Sequence, residues 1–447
     1  MDPAVLGILC LAAVVVLIAL RVPIAFALGG VAALGLFVFF AWPAGSAFDA
    51  QRAARPVLSI LSGGPFGFIH SYPLSMIPLF IALGHFAYQA GITTDIYYAM
   101  RVWLARLPGG LAMASVIGCG GFSAITGSSV ACASAMGKIA VPEMLRYNYR
   151  GELATAAVAA GGTLGSLIPP SLLFVLYGFF TEQSVSKLFL AGIVPGLLSL
   201  SGFLTVIFLW ARHDPEVAPP PDMAFSRDER WRALVRAWPA LVLFTIVVGG
   251  IYFGIFTPTE AAAVSAASAV AIGALTGRLT WARFVESLRE TVTQTAMIFA
   301  IVIGAKLFVS LVSLTGLAPA ILALVEGRSL PPWLVLGIIV VIYLVLGMFL
   351  DSIGILLLTL PFTVPVVEGL GFDLVWFGVI VVKLLEIGLI TPPIGLNVFV
   401  IGGVVEGRVP LEAIFAGVLR FLAVDILVFG LLLAFPILSL FVPATMF

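Results

Sequence analysis

The sequence predicts an all-α polytopic membrane protein made of two inverted-topology repeats, each carrying a re-entrant helical hairpin and a discontinuous helix. Three observations predict it: a composition that suits lipid, apolar runs of spanning length, and prolines that recur at one fixed offset. Composition excludes the most. Of 447 residues, 62% are hydrophobic and 10% are charged, and the mean hydropathy is +1.19. Soluble globular chains carry about 45–50% apolar and about 25% charged residues, so these charges are too few to clothe a water-facing surface. The 22 basic and 22 acidic residues cancel, leaving no global field to draw nucleic acid or an acidic partner. Cys10, Cys119 and Cys132 lie in apolar stretches without CxxC spacing, as small buried hydrophobes do. His70, His85 and His213 share no helix-face spacing, so no zinc site is expected.

A membrane span takes about 20 residues across a hydrocarbon core of about 30 Å. Apolar runs of that kind cover 5–20, 23–42, 73–91, 152–181, 185–211, 236–256, 259–277, 291–314, 374–406 and 411–441. They imply roughly ten crossings. The run 5–20 reads as a retained span rather than a cleaved leader, because Met1-Asp2-Pro3 lacks a basic n-region. The stretch 213–235, with Asp214-Pro215 and Pro219-Pro220-Pro221, reads as a linker loop between a first half, 1–212, and a second, 236–447. Arg212, Arg227, Arg230, Arg232 and Arg236 flank that loop and place it in the cytoplasm. Counting outward from it puts Arg21, Arg101, Arg106, Arg146, Arg150, Arg278, Arg283 and Arg408 inside and both termini outside. Arg52 and Arg55 depart from this pattern and are assigned to a surface segment.

Two segments are too long for simple spans. Pro108 and Pro142, and Pro331 and Pro365, lie 34 positions apart, and one helix of that length would run about 50 Å. Folded back, each gives two arms of about 25 Å that enter and leave on one side. Gly127-Ser128-Ser129 and Leu350-Asp351-Ser352-Ile353-Gly354 sit near the midpoints, where turn-forming residues belong. Hairpins are therefore expected over about 108–142 and about 331–365.

The prolines of the two halves correspond. Pro108, Pro142, Pro169 and Pro170 recur as Pro331, Pro365, Pro392 and Pro393, each 223 positions later, and Ser129 meets Ser352 and Gly165 meets Gly388 at that offset. This is an internal repeat. An odd number of crossings between the hairpins makes it inverted, the arrangement in which secondary transporters place a site near the midplane. Matching interruptions mark that site: 152–181 is broken at Ile168-Pro169-Pro170-Ser171, and 374–406 at Thr391-Pro392-Pro393-Ile394-Gly395-Leu396-Asn397. Consecutive prolines remove two backbone donors and disfavour helix in the residue before them. Carbonyls freed at membrane depth must face protein, water or a cation.

Sodium takes several oxygens without strict direction, and each half supplies a set. Thr126, Gly127, Ser128, Ser129, Pro169 and Ser171 form the first; Asp351, Ser352, Thr391, Pro392 and Asn397 form the second. Half-helix C-terminal carbonyls attract a cation and N-terminal amides an anion, so two cation sites flanking one anion site are expected. Ser128, Ser171, Asn397 and Lys306 are the candidates for contact with the anion. Asp351 is the most informative residue, since a carboxylate in an apolar segment is functional by default. Lys383 and Glu386 stand three apart on one helix and are expected to pair, while Arg420 and Asp425 receive no role. No His or Lys at matching depth could activate the Ser128 or Ser129 hydroxyl, and no GxxxxGK[ST] loop is present, so enzyme chemistry and ATP hydrolysis are not expected.

At these residues the chain resembles the large (M-type) subunit of the tripartite ATP-independent periplasmic, or TRAP, transporters. The matching stretches begin with Ile77-Pro78-Leu79-Phe80, Gly91-Ile92, Leu107-Pro108-Gly109-Gly110-Leu111-Ala112 and Thr126-Gly127-Ser128-Ser129-Val130-Ala131. They continue with Gly165-Ser166-Leu167-Ile168-Pro169-Pro170-Ser171, Leu188-Phe189-Leu190-Ala191-Gly192-Ile193-Val194-Pro195-Gly196 and Tyr252-Phe253-Gly254-Ile255-Phe256-Thr257-Pro258-Thr259-Glu260-Ala261. The last is Gly388-Leu389-Ile390-Thr391-Pro392-Pro393-Ile394-Gly395-Leu396-Asn397. The resemblance covers nearly the whole chain. It implies an elevator-type mechanism, Na+ as the coupling ion with no other cofactor, and a multi-pass place in the bacterial inner membrane. It also implies as partners a small four-helix membrane subunit, not fused to this chain, and a periplasmic substrate-binding protein that delivers a small organic anion such as a carboxylate. The alternative is a one-component sodium–carboxylate symporter of similar inverted-repeat fold. A neighbouring pair of genes, for a four-span protein and a secreted binding protein, would separate the two.

Overall fold

The computed structural model describes residues 2–219, 225–328 and 330–446, apart from the side chains at 124–126, 324 and 326. The described residues are helical, without a strand. Among the described residues, seven helices are long and apolar enough to cross a membrane, or eight if Ala50–Ile69 and Tyr72–Gln89, bent by 59° at their junction, form one span. The shortfall from roughly ten crossings has local causes. The double prolines split 152–181 into Gly151–Gly162 and Leu172–Thr181, and 374–406 into Leu374–Ile390 and Leu396–Val404. Pro3–Ala19, with 17 residues, is among the shorter apolar helices.

The expected linker loop needs correction. Helix Val185–His213 runs up to it, but Arg227–Arg236 is itself helical, and a candidate span of 26 residues covers Arg227–Tyr252. A capping box starts that helix: the Glu229 N–H donates to Ser226 Oγ at 3.2 Å, and the Ser226 N–H donates to Glu229 Oε2 at 2.7 Å. This reciprocal pair satisfies two otherwise orphaned helix donors, which decides the local structure against the run of charges. Residues 220–224, including two of the three consecutive prolines, lie outside the described residues.

Helix boundaries repeat at the offset seen in the prolines. Ser129–Arg146 and Ser352–Gly369 start and end 223 positions apart, and Gly151 and Leu374 open the following helices at the same spacing. Pro142 and Pro365 lie inside those helices rather than ending them. Between the arms of the first pair, Gly110–Thr126 and Ser129–Arg146, only Gly127 and Ser128 intervene. Pro332–Gly347 and Ser352–Gly369 are joined by the longer turn 348–351.

The chain divides into two compact units, neither of which follows the halves of the sequence. One comprises residues 1–75, 292–341 and 353–374. Here small residues let backbones meet: a Cβ added at Gly304 would stand 2.6 Å from the Ala25 carbonyl oxygen and 3.1 Å from the Gly29 nitrogen. Close backbone approach is the usual basis of helix association in lipid, where burial of apolar surface supplies no drive. Phe308 packs edge-on against Phe362 in the same unit.

The other unit comprises 76–291, 342–352 and 375–447. Its core joins Leu111, Val116 and Met136 of the first hairpin to Phe203, Val398 and Phe421 from later helices. One end is tied by charge. Asp95, with a side chain 2% exposed, accepts from Arg236 Nε at 2.6 Å and also from Arg278, so two of the arginines counted toward the cytoplasm share one carboxylate. Glu143 likewise takes Arg101 at 2.8 Å and the Tyr97 hydroxyl at 2.8 Å.

Candidate ion and substrate site

The turn of the first hairpin follows from three residues. Gly127 ends Gly110–Thr126 in the left-handed region, φ 62°, and its N–H donates to the Ser123 carbonyl at 2.8 Å. Glycine takes this C-terminal position because it lacks the Cβ that strains it. Ser128 then caps the second arm, its Oγ accepting from the Ala131 N–H at 3.4 Å. Ser129 is the first residue of that arm and points inward, buried. Thr126 closes the first arm, and its side chain lies outside the described residues.

This turn packs on the break in the first discontinuous helix. A Cβ at Gly127 would stand 3.0 Å from the Pro170 carbonyl oxygen and 3.3 Å from the Leu172 nitrogen. The chain there passes from Gly151–Gly162 through the 3-10 turn Thr163–Ser166 to the Pro169–Pro170 bond, which is cis, and Ser171 caps Leu172–Thr181 by accepting from the Phe174 N–H at 3.4 Å. Helix Val185–His213 braces the break with two glycines a turn apart. A Cβ at Gly192 would lie 2.3 Å from the Leu167 carbonyl oxygen, and one at Gly196 would lie 2.9 Å from the Ile168 side chain.

The second half repeats the plan with different chemistry. Asp351 stands where Ser128 stands, directly before the second arm, and Ser352 where Ser129 does. Asp351 is half-buried, and Ser352 Oγ has no hydrogen-bond partner among the described residues. Gly347, ending the first arm, meets Gly388 backbone to backbone: a Cβ at Gly388 would be 2.6 Å from the Gly347 Cα. Its counterpart Gly165 faces the equivalent part of the first hairpin, where a Cβ would lie 2.7 Å from Ser123 Oγ. Thr391 Oγ1 donates to the Ile387 carbonyl at 2.6 Å, the Pro392–Pro393 bond is cis, and Gly395, φ 58°, leads into Leu396–Val404.

Asn397 brings the two halves together. It is fully buried, Nδ2 donates to the Ala159 carbonyl at 3.2 Å, and Oδ1 has no partner among the described residues. A Cβ at Gly162 would be 3.2 Å from Asn397 Nδ2 and 3.0 Å from the Ser129 carbonyl oxygen, so glycine leaves the space in which they converge. Ser129, Ser171 and Asn397 thus belong to one packed region with Gly127 and Pro170, and a hydroxyl that has donated its proton still offers lone pairs to a cation. Lys306 lies in the other compact unit, exposed on helix Trp281–Thr315, with no ion pair among the described residues.

The expected Lys383–Glu386 pair is not formed. Lys383 Nζ donates to Asp425 and to Ser199 Oγ, the latter at 2.9 Å, joining Leu374–Ile390 to Leu411–Ala434 and Val185–His213. Glu386 turns toward the first hairpin, where Oε2 accepts from Ser129 Oγ at 2.7 Å and Ser166 Oγ lies 3.0 Å from Ser129 Oγ. Glu386, expected from the sequence only to pair with Lys383, and Ser166 were not among the candidate ligands. Their signal was present: an ionisable residue within an apolar run, two positions before a glycine that matches across the repeat. Arg420 stacks over Trp210 at 3.8 Å from the ring centroid.

Comparison with known proteins agrees with this architecture. The family described as "Tripartite ATP-independent periplasmic transporter, DctM component" matches residues 11–438. The C4-dicarboxylate TRAP transporter large permease protein DctM of Pseudomonas aeruginosa is 36% identical over 375 residues, covering 83% of this chain and 85% of that protein. The sialic acid TRAP transporter large permease protein SiaM of Vibrio cholerae is 34% identical over 378 residues, covering 84% and 87%. Among solved structures, the YdaH transporter of Alcanivorax borkumensis superposes with a TM-score of 0.64 over 98% of each chain at 16% identity, a likeness of fold alone.

Proposed function

From the premise that this chain belongs to the DctM-component family of tripartite ATP-independent periplasmic transporters, we propose that it is the sodium-driven carrier of a small organic anion, working with two partners. It is a multi-pass membrane transporter component and not an enzyme. In the proposed cycle, a periplasmic binding protein delivers the anion, a small four-helix subunit accompanies this chain in the bacterial inner membrane, and sodium binding offsets the charge of the cargo. The relatives named for C4-dicarboxylates and for sialic acid share the carboxylate group, and a carboxylate is the cargo class proposed here.

One observation carries this reading: a single compact unit holds both hairpin turns and both proline breaks, with the Ser129 carbonyl oxygen and the Asn397 side-chain amide nitrogen converging at Gly162. Half-helices that start at such breaks direct N-terminal amides at an anion, and the carbonyls ending their partners attract a cation. The two cation positions proposed are Thr126, Gly127, Ser128, Ser129, Pro169 and Ser171 on one side, and Asp351, Ser352, Thr391, Pro392 and Asn397 on the other. Ser128, Ser171 and Asn397 would meet the anion; Lys306, expected there from the sequence, lies in the other compact unit and is left out of the proposed site. Concentration of these groups in one unit supports movement of that unit as a body, the elevator mechanism, with the repeats inverted about the membrane plane.

The test is uptake of labelled carboxylate into proteoliposomes. Uptake should require this chain, the small subunit, the binding protein and an inward sodium gradient together. Robust sodium-driven uptake by this chain alone would instead establish the one-component symporter. Asp351→Ala should reduce uptake at least about tenfold while the protein still folds, since it deletes a membrane-embedded carboxylate at a hairpin turn. Wild-type uptake would take Asp351 out of the site.

A further inference from the structure

We propose that Glu386 is a direct ligand of a sodium ion held beneath the first hairpin turn, which makes this buried carboxylate part of the ion-coupling machinery. The proposal rests on the sodium-driven reading above and adds a charged ligand that the repeat itself does not supply: the residue matching Glu386 in the first half is Thr163.

Charge balance points to it first. Among the described residues of this unit, four acidic or basic side chains, Asp95, Lys383, Glu386 and Asp425, are almost wholly buried. Asp95 is held by two arginines, and Lys383 is committed to Asp425. Glu386 has no cation within ion-pair distance among the described residues, and its exposure is 1%. A buried carboxylate without a counter-charge is strongly unfavourable, so the layer needs one positive charge to close.

Unused oxygens point the same way. One carboxylate oxygen, Oε2, takes the Ser129 hydroxyl, and Ser129 Oγ in turn lies 3.0 Å from Ser166 Oγ. The other, Oε1, has no partner among the described residues, and neither has Asn397 Oδ1 or Ser123 Oγ. All three belong to one region. Ser123 faces Gly165, the neighbour of Ser166, and Asn397 meets the Ser129 backbone across Gly162. Buried acceptors are rarely left unpaired, and a hard monovalent cation takes this mixture of carboxylate, amide and hydroxyl oxygens. A proton on Oε1 would supply the charge but would itself lack an acceptor among the described residues, leaving Asn397 Oδ1 and Ser123 Oγ as they are.

The test is thermal unfolding of the purified full-length chain with its small subunit, titrated with sodium chloride against choline chloride. Wild type should show a saturable sodium-dependent rise in melting temperature. Glu386→Gln should need at least about tenfold more sodium for the half-maximal rise, and Glu386→Asp should fall between. If Glu386→Gln retains the wild-type titration, the carboxyl is held by a proton and the proposal fails while sodium coupling stands. If wild type itself ignores sodium, the proposal and the sodium-driven reading both fail. Should Glu386→Gln not fold, Ser166→Ala decides: it keeps the carboxylate, removes a hydroxyl that acts on it through Ser129, and should shift the half-maximal sodium upward with little change in choline. An unshifted titration would overturn the proposal.

Discussion

Lys383→Met should destabilise the protein by about 3–5 kcal/mol, the cost of leaving a buried charge without its partner. Lys383 is 1% exposed and Asp425 is 0% exposed. In the wild type Lys383 Nζ neutralises Asp425 Oδ1, and Ser199 Oγ accepts a second bond at 2.9 Å. The variant strips the cation and leaves two carboxylates, Asp425 and Glu386, in the same helix layer. Replacing both members of a buried ion pair by apolar groups of similar volume is often neutral or stabilising. Lys383→Met combined with Asp425→Leu should therefore regain most of the loss. Denaturation of the solubilised complex compares the three proteins. A single variant as stable as wild type, or a double variant no better than the single, would mean that the pair does not hold these helices together.

Gly388→Val should lower uptake by about 10²-fold, the scale on which a displacement of about 1 Å disables a positioned site. The added Cβ alone would stand 2.6 Å from the Gly347 Cα and 2.8 Å from the Gly347 carbonyl carbon. Both obstacles are backbone, so no side-chain rotation relieves the clash, and the turn of the second hairpin must move away from the second discontinuous helix. Gly430→Ala supplies the control, because nothing lies within 4 Å of a Cβ built there. It should leave uptake unchanged. Near-normal uptake by Gly388→Val at wild-type protein levels would show that close approach of hairpin and broken helix is dispensable.

The parts of this fold legible in the sequence are those where backbone chemistry leaves few choices. Proline cannot donate a hydrogen bond, so Pro169-Pro170 and Pro392-Pro393 fix where two apolar runs must break, and a common offset marks the repeat without any packing argument. Gly127 followed by two serines similarly names a helix end and the next helix start. The pairing of charged side chains was not legible. Spacing along the chain favours Lys383 with Glu386, but residues 375–390 are buried on every face, so partners come from other helices. Asp425 stands 42 residues from Lys383, and Ser129 stands 257 residues from Glu386. Such distances carry no periodic signal. Helix Arg227–Arg236 was missed for the opposite reason: a capping box is explicit in Ser226 to Glu229, yet charge and proline nearby suggested a loop.

That sodium is gripped between the hairpin turns and the proline breaks is tested most directly by maps of the complex with its small subunit, prepared in sodium and in choline. Density for an ion within coordination distance of the oxygens around Ser129, Glu386 and Asn397, present in sodium and absent in choline, is the expected result. Identical maps in the two salts, with Glu386 and Asn397 bonded only to protein, would contradict it.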